Sequence, residues 1–194
     1  MGWKVYNPDT HGRGDRLKFT ETPLKGAYVI EIDPVVDSRG FFTRTYCKKE
    51  FEEHGIRFDI VQSNISHNIQ KGTLRGMHYQ EHPYEEDKLV SCIQGAIHDV
   101  IVDIRPDSGT YMQWFSIELT ASTRNMLYVP KGFAHGFQSL IDNSDVLYLM
   151  GSYYVRELSK GFAWNDPSIN IDWPIKEGIV ISKRDMNFNG FNTI

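Results

Sequence analysis

The densest group of reactive side chains lies in two glycine-rich segments in the middle of the chain. Residues 75–80 (RGMHYQ) are followed eight residues later by Lys88, and residues 130–137 (PKGFAHGF) contain His135. A neutral imidazole can accept a proton near pH 7, and Arg or Lys can stabilise a developing negative charge. A lone histidine is usually a half-buried structural residue. Two histidines in glycine-rich segments, with Arg75 and Lys88 nearby, make a purely structural role less expected.

A metal site is the alternative interpretation of these segments. Residues 130–135 resemble the second metal motif of cupins, whose first motif supplies two histidines at i and i+2 and then a glutamate. Two residues after His78 this chain has Gln80, and an amide oxygen is a poor ligand for a transition metal. Too few good ligands remain for a closed or catalytic metal centre, so we expect no metal.

Composition restricts the class of protein. The 194 residues carry a net charge of −4 and two cysteines, which gives no nucleic-acid footprint and no disulfide framework. The first residues lack the apolar core of a signal peptide, and no apolar run approaches the ~20 residues that span a bilayer. We expect a cytoplasmic protein without membrane contact, with an N-terminal arm over residues 1–25 and one domain over 26–194.

Short extended segments with turn residues between them must position these side chains. They cover residues 27–32, 41–46, 58–64, 89–93, 97–104, 113–119, 126–129 and 145–150. One helix is predicted over 48–55, where Gly55 occupies the position of a C-terminal cap, and the chain after Tyr154 is irregular. Many short strands with few helices predict an all-β fold, a jelly-roll β-barrel with a few short helices.

Several separated motifs then occur in order. They are 37–42 (DSRGFF), 62–64 (QSN), 71–80 (KGTLRGMHYQ), 88–90 (KLV), 99–105 (DVIVDIR), 132–137 (GFAHGF), Tyr148, 153–154 (YY), 164–167 (WNDP), 173–174 (WP) and 182–185 (SKRD). Together, from about residue 27 to 185, they resemble the dTDP-4-dehydrorhamnose 3,5-epimerase family. The resemblance implies a cupin-like homodimer without cofactor or metal, acting on a nucleotide-diphosphate 4-keto-6-deoxy sugar that commonly feeds surface polysaccharide such as O-antigen lipopolysaccharide.

The resemblance also implies the catalytic residues. The sugar ketone acidifies the C–H bonds at C3 and C5, so inversion needs a base, an acid on the opposite face, and a cation for the enolate oxygen. His78 matches the base, Asp185 the carboxylate that orients it, Tyr148 the acid and Lys88 the cation. Taken alone, Tyr148 would be a core residue, and Lys88 and Asp185 would be surface residues; only the joint match assigns them these roles.

The remaining matches concern substrate binding. Arg75 and His135 match contacts to the sugar and diphosphate, and a guanidinium suits a diphosphate because it binds oxygens in pairs. Contacts to the nucleotide and its sugar are matched by Gln62, Asn64, Arg39, Phe42 and Tyr154. Arg39 and Phe42 are expected to serve the site of the neighbouring subunit.

One position departs from the family pattern. Where the family usually has Glu, two residues after Phe42, this chain has Arg44. Thymine offers an N–H donor to a carboxylate, whereas cytosine offers acceptors and Arg is only a donor. The expected nucleotide is therefore dTDP or, if Arg44 contacts the base, CDP. The alternative is that Arg44 faces solvent or pairs with a local Glu.

Other functions remain open at this point. The apolar segment Leu149-Met150-Gly151 replaces a more polar one beside the predicted acid. Epimerases acting at C3 only or C5 only are variations on this scaffold, and a 3-epimerase is as plausible as a 3,5-epimerase. A ketoisomerase on a related scaffold, a cupin that only binds a sugar nucleotide, and a metal-dependent cupin enzyme are further alternatives. The presence of His78, Tyr148 and Asp185 together favours the epimerase.

Overall fold

The fold consists of two six-stranded sheets, and within each sheet the strands pair mostly antiparallel. The computed structural model describes residues 16–191. In spatial order the first sheet consists of β1 (Lys18–Glu21), β2 (Tyr28–Glu31), β10 (Met126–Val129), β7 (Lys88–Gln94), β12 (Ser144–Met150) and β5 (Gln62–Asn68). The second consists of β13 (Ser159–Gly161), β6 (Thr73–Gln80), β11 (Phe133–Ser139), β8 (Ala96–Asp103) and β9 (Trp114–Thr120), with β14 (Val180–Ile181) parallel to β6.

Outside the two sheets lie one hairpin and a few short helices. The hairpin pairs β3 (Val35–Asp37) with β4 (Gly40–Phe42). The helices are α1 (Lys48–Glu53), α2 (Lys183–Met186) and a 3-10 turn over Arg156–Leu158. The prediction of an all-β fold with a few short helices is confirmed.

The main core lies between the sheets. It combines side chains of the first sheet, such as Val90 and Val146, with those of the second, such as Ile101 and Phe137, all almost fully buried. Along each strand alternate side chains point to opposite faces, so both sheets turn one apolar row inward. Burial at roughly 25 cal/mol per Å² of apolar surface makes this row the main stabilising feature of the barrel.

Helix α1 closes a second apolar cluster beside the first sheet. Phe51 of the helix and Phe58 after it are fully buried and pack near Tyr128 of β10. The helix ends as predicted, because Gly55 has φ +75° and its N–H donates to the carbonyl of Glu52. A left-handed residue at this place is what terminates the helix, and glycine adopts it without strain.

The structure extends the sequence prediction in three places. Lys18–Glu21 forms β1 at the edge of the first sheet, so the sheet begins before residue 26, while residues 1–15 of the predicted arm lie outside the described range. The glycine-rich motifs form the long strands β6 and β11, which the strand pattern did not include. The tail after Tyr154 contains β13 and β14, which both pair with β6, and the short helix α2 that follows β14. Among residues 16–191 no helix is long and apolar enough to cross a bilayer.

Candidate active site

The barrel interior changes from apolar to polar toward one end. On β12 the inward row runs from buried Val146 to Tyr148 and Met150, and on β7 it runs from Val90 to Lys88. Tyr148 pairs in register with Val90, and Met150 pairs with Lys88. The period of two along each strand therefore places a phenol and an ammonium beside each other at the same mouth.

A pocket of about 250 Å³ opens at this polar end. It is lined by side chains from both sheets and from the segments that cover them: Asn64, His78, Gln80, Glu86, Lys88, His135, Tyr148, Met150, Tyr154, Ser159 and Arg184. Six of the predicted site residues are among them. The two sheets thus bring together in space residues that are far apart in sequence.

His78 is held by Asp185. The His78 Nε2 atom lies 2.8 Å from the Asp185 Oδ1 atom, and the Asp185 carboxylate is buried. Ser182 caps α2 by accepting a hydrogen bond from the Asp185 N–H at 3.0 Å, which fixes the carboxylate against β6. Burial by itself raises the pKa of Asp185, but the hydrogen bond and charge of His78, with a bond from the Gly76 N–H, outweigh it and bring the pKa below its usual value. The carboxylate is therefore the charged orienting partner of the imidazole.

Gly76 allows the β6 strand to reach this geometry. It has φ +136°, and a Cβ atom there would lie 2.6 Å from the Cα atom of Gly136 on β11. The β6–β11 register shifts at the same place, between the pairs made by His135 and Phe137. Only two glycines let the strands approach this closely. The approach sets His135 in register with His78 across the two strands.

His135 faces Tyr148 at the bottom of the pocket. Its Nε2 atom lies 2.8 Å from the Oδ1 atom of fully buried Asp99, and its ring meets the Tyr148 ring edge-on with centroids 5.9 Å apart. Burial, together with the negative charge of Asp99, raises the pKa of Tyr148 well above its ordinary value. The phenol therefore keeps its proton at neutral pH and can donate it to a strongly basic carbanion or enolate.

Lys88 places an ammonium group in the pocket, and this group has an acidic partner. Its Nζ atom lies 2.5 Å from the Oε1 atom of Glu86, and the side chains of the pair are only 5% and 10% exposed. An ammonium has three donor hydrogens, so two remain for a ligand in the pocket. Sequence reasoning did not single out Glu86, although the i, i+2 spacing from Lys88 in an extended segment was a usable signal.

A second recess adjoins the pocket on the other side of His78. It has a volume of about 430 Å³ and is lined by residues of β6, β14 and α2, among them Arg75, His78, Arg184 and Asp185. Arg75 is partly fixed by a bond from its Nε atom to Asn68 Oδ1 at 2.9 Å, and Arg184 donates to the Ser159 carbonyl at 3.0 Å. Two guanidinium groups beside the imidazole form a setting suited to a diphosphate. Arg184, which sequence reasoning missed, directly precedes Asp185.

The predicted nucleotide-side residues divide into two groups. Asn64 and Tyr154 line the pocket, and Gln62 links them by donating to Asn64 Oδ1 at 3.1 Å and accepting from the Tyr154 N–H at 3.4 Å. Arg39 and Phe42 instead lie on the β3–β4 hairpin, outside the pocket, with Phe42 75% exposed and Arg39 paired with Asp37. The single chain does not bring these two residues to the site.

Arg44 also lies outside the pocket. It pairs with Glu50 of α1, whose carboxylate is buried and accepts a bond from the Leu17 N–H at 2.8 Å. This contact matches the alternative of a local Glu partner.

Among residues 16–191 no three His, Cys, Asp or Glu side chains are grouped so that they could hold a metal ion.

Comparison with known proteins identifies the family of this chain. The family model described as dTDP-4-dehydrorhamnose 3,5-epimerase matches residues 21–193. The chain belongs to the dTDP-4-dehydrorhamnose 3,5-epimerase family. A curated member from Shigella flexneri is 39% identical over 176 residues, which are 90% of this chain and 96% of that protein. The chain is therefore an isomerase, a nucleotide-sugar epimerase of deoxysugar biosynthesis.

Solved structures of epimerases agree with the fold. The epimerase from Elizabethkingia anophelis NUHP1 superposes with a TM-score of 0.89 at 38% identity, covering 91% of this chain and 97% of that one. The epimerase from Bacillus anthracis str. Ames, with TDP and PPi bound, gives 0.87 at 40% identity, covering 90% and 99%. The family assignment therefore extends over nearly the whole chain.

Proposed function

We propose that this epimerase inverts both C3 and C5 of a dTDP-linked 4-keto-6-deoxyhexose through an enolate. The observation that carries the proposal is the arrangement of His78, with Asp185 behind it, and Tyr148 on different sheets around one pocket. A ring held between them presents one face to a base and the other to an acid. Inversion of a carbon next to a ketone needs that two-sided geometry.

The proton follows a defined route in this proposal. His78 removes the proton from C3 or C5, and Asp185 stabilises the imidazolium that forms. The electron pair moves onto the ketone oxygen, where Lys88 stabilises the enolate. Tyr148 then gives its proton to the same carbon from the opposite face. The Tyr148 phenolate then takes a proton from solvent and the His78 imidazolium releases one to solvent, which restores both residues, and no redox step is required.

The diphosphate and sugar contacts are assigned by charge and place. Arg75 and Arg184 flank the recess beside His78 and would bind the diphosphate, while His135, held by Asp99, would contact the sugar. Asn64, Gln62 and Tyr154 would contact the nucleotide side, next to the mouth of the pocket.

We propose dTDP as the nucleotide. The relatives carry dTDP in their names, and the B. anthracis protein was solved with TDP. The pairing of Arg44 with Glu50 engages the one side chain that suggested CDP. Competition of dTDP against CDP for the purified protein tests the assignment, and tighter binding of CDP would overturn it.

Epimerisation at C3 alone is the second candidate. A 3'-monoepimerase from Streptomyces bikiniensis is 31% identical and superposes with a TM-score of 0.81. In this chain Met150, the next inward-facing residue of β12 after Tyr148, lines the pocket, so an apolar side chain lies where it could restrict the ring. The higher identity to the 3,5-epimerases favours inversion at both carbons.

We also propose a homodimer in which the β3–β4 hairpin reaches the partner's site. Its support is the set of exposed apolar side chains on the hairpin and on the outer face of the first sheet: Val35, Val36, Phe41, Phe42, Ile65 and Ile93. A partner would remove these side chains from water.

We also propose that the enzyme acts in the cytoplasm, where nucleotide-activated sugars are available, in a route to surface polysaccharide. Cell fractionation would test that location.

Proton NMR in deuterated water tests the function directly. With dTDP-4-keto-6-deoxyglucose, we expect deuterium to enter at C3 and C5 and the product to be inverted at both carbons. His78→Ala should abolish both, whereas His82→Ala, at an exposed histidine outside the pocket, should leave them unchanged. Label at C3 alone would establish the monoepimerase. If deuterium entered at neither C3 nor C5, the epimerase chemistry would be refuted.

A further inference from the structure

The pocket contains a carboxylate that the reaction described above does not use. Glu86 lies in the extended segment before β7 and lines the pocket together with His78, Lys88 and Tyr148. Its side chain is only 10% exposed, and its Oε1 atom lies 2.5 Å from Lys88 Nζ. A buried carboxylate costs several kcal/mol of desolvation unless a cation compensates it, so this residue needs an explanation.

The local chain fixes Glu86 in the pocket. In an extended segment residues i and i+2 share a face, so Glu86 and Lys88 point inward while Asp87 points the other way. There the Asp87 carboxylate is buried, and the Tyr128 hydroxyl donates to it at 3.2 Å. Gly151 leaves room for that carboxylate, because a Cβ atom there would lie 2.0 Å from Asp87 Oδ1. Asp87 and Gly151 therefore anchor the segment that carries the pair.

We propose that Glu86 is a positioning residue of the epimerase, which holds the Lys88 ammonium charged and directed at the place where the enolate oxygen forms. The proposal rests on the proposed function. Lys88 is only 5% exposed, and a buried ammonium without a counter-charge loses its proton more readily than one beside a carboxylate. Neutral lysine could not stabilise an enolate. Glu86 thus compensates the buried charge of Lys88 and fixes the direction of its ammonium group.

Other titratable groups line the pocket around Glu86 and Lys88, and their effects on the pH profile must be distinguished from those of this pair. His78, His135, Tyr148, Tyr154 and Arg184 line the pocket from β6, β11, β12 and α2 and the segments beside them. The negative charge of Glu86 is one of the causes that raise the pKa of Tyr148, after burial and Asp99. Removing Glu86 would therefore lower the pKa of Tyr148 as well, in the same direction as the effect on Lys88.

The test combines a pH profile with a direct titration of Lys88. In Glu86→Gln the alkaline limb of kcat should move to lower pH by about one unit or more, so that the loss of kcat grows as the pH rises and is less than about threefold near pH 6.5. KM should change little. Glu86→Asp, which keeps the charge, should recover part of the shift. Glu85→Gln is the control, because Glu85 pairs with His82 outside the pocket.

The titration uses protein labelled with 13C at lysine Cε, with the Lys88 signal assigned from Lys88→Arg. Its midpoint should fall by about one pH unit or more in Glu86→Gln and remain unchanged in Glu85→Gln. This readout does not need turnover, so it shows whether Glu86 keeps Lys88 charged whatever the exchange experiment gives, and failure of this proposal can be told apart from failure of the epimerase chemistry. A uniform fall of kcat at every pH, or an unchanged Lys88 midpoint, would overturn the proposal.

Discussion

The imidazole of His78 and the carboxylate of Asp185 lie 2.8 Å apart although 107 positions separate them in the chain. The carboxylate is delivered by a helix of only four residues, capped by Ser182, that follows the short parallel pairing of β14 with β6. A helix so short is not stable by itself. Its placement beside β6, and the orientation of the base, therefore depend on tertiary packing.

Asp185→Asn should reduce kcat by about 10²–10⁴-fold with a small change in KM. The amide can still hydrogen-bond the ring, but it does not stabilise the imidazolium that forms when His78 takes the proton. Steady-state kinetics with the dTDP sugar measures this. Asp172→Asn provides the control, because Asp172 is an exposed carboxylate that pairs with Lys176 at the surface. Equal kcat values for the two variants would contradict the role of Asp185.

Asp185 should also make the stability of the folded protein depend on pH. Its pKa is lowered in the folded state, so its contribution is fully present above the unfolded-state pKa of about 3.9 and is lost as pH falls through the lower folded value. The difference in Tm between wild type and Asp185→Asn should therefore shrink as pH is lowered from 5 toward 3. Differential scanning calorimetry at a series of pH values measures it, and a difference that widens in acid would refute the linkage.

Tyr148→Phe should separate exchange from inversion. His78 can still remove a proton and return a deuteron to the same face, so label should enter the substrate while inversion falls by about 10²-fold or more. Tyr111→Phe, at a partly exposed tyrosine away from the pocket, should behave as wild type. NMR of the recovered sugar distinguishes the two processes. Loss of exchange to the same extent as inversion would argue against Tyr148 as the acid.

Gly151→Ala should destabilise the fold by about 1–3 kcal/mol, because the added methyl group would meet the Asp87 carboxylate at 2.0 Å. Asp87→Ala in the same chain should restore part of that loss, so the double-mutant cycle should show a positive coupling. Gly109→Ala is matched, since a Cβ atom there meets nothing within 4 Å. Urea unfolding gives the free energies, and additive effects would exclude direct contact.

Phe42→Ala should weaken substrate binding in the partner's site, if the hairpin reaches it. We expect KM to rise about tenfold with kcat almost unchanged, and no such change in Ile141→Ala, at an exposed residue outside the hairpin. Mixed dimers of Phe42→Ala with His78→Ala should regain a low KM, because one of their two sites has both residues intact. No recovery on mixing would place Phe42 in its own chain's site or outside both.

Local patterns in the sequence determined most of the strands. The alternation in 97–104 and the short extended segments 89–93, 126–129 and 145–150 match β8, β7, β10 and β12, because a half-buried strand needs an inward apolar row. Gly55 marked the end of α1 for an equally local reason, its left-handed backbone. The ordered motifs also identified the family, since they preserve side chains that one chemistry requires.

Other features required the tertiary structure. The strands β6 and β11 escaped the pattern because their glycines serve a close approach between strands, with Gly76 against Gly136, and not a local turn. The pairing of Lys88 with Glu86 and of Arg44 with Glu50, and the exposure of Phe42, follow from how segments pack. Sequence alone thus determined which groups could perform proton transfer. Packing of the two sheets decided which groups meet, because contacts between distant segments are set by the register and crossing of the whole barrel.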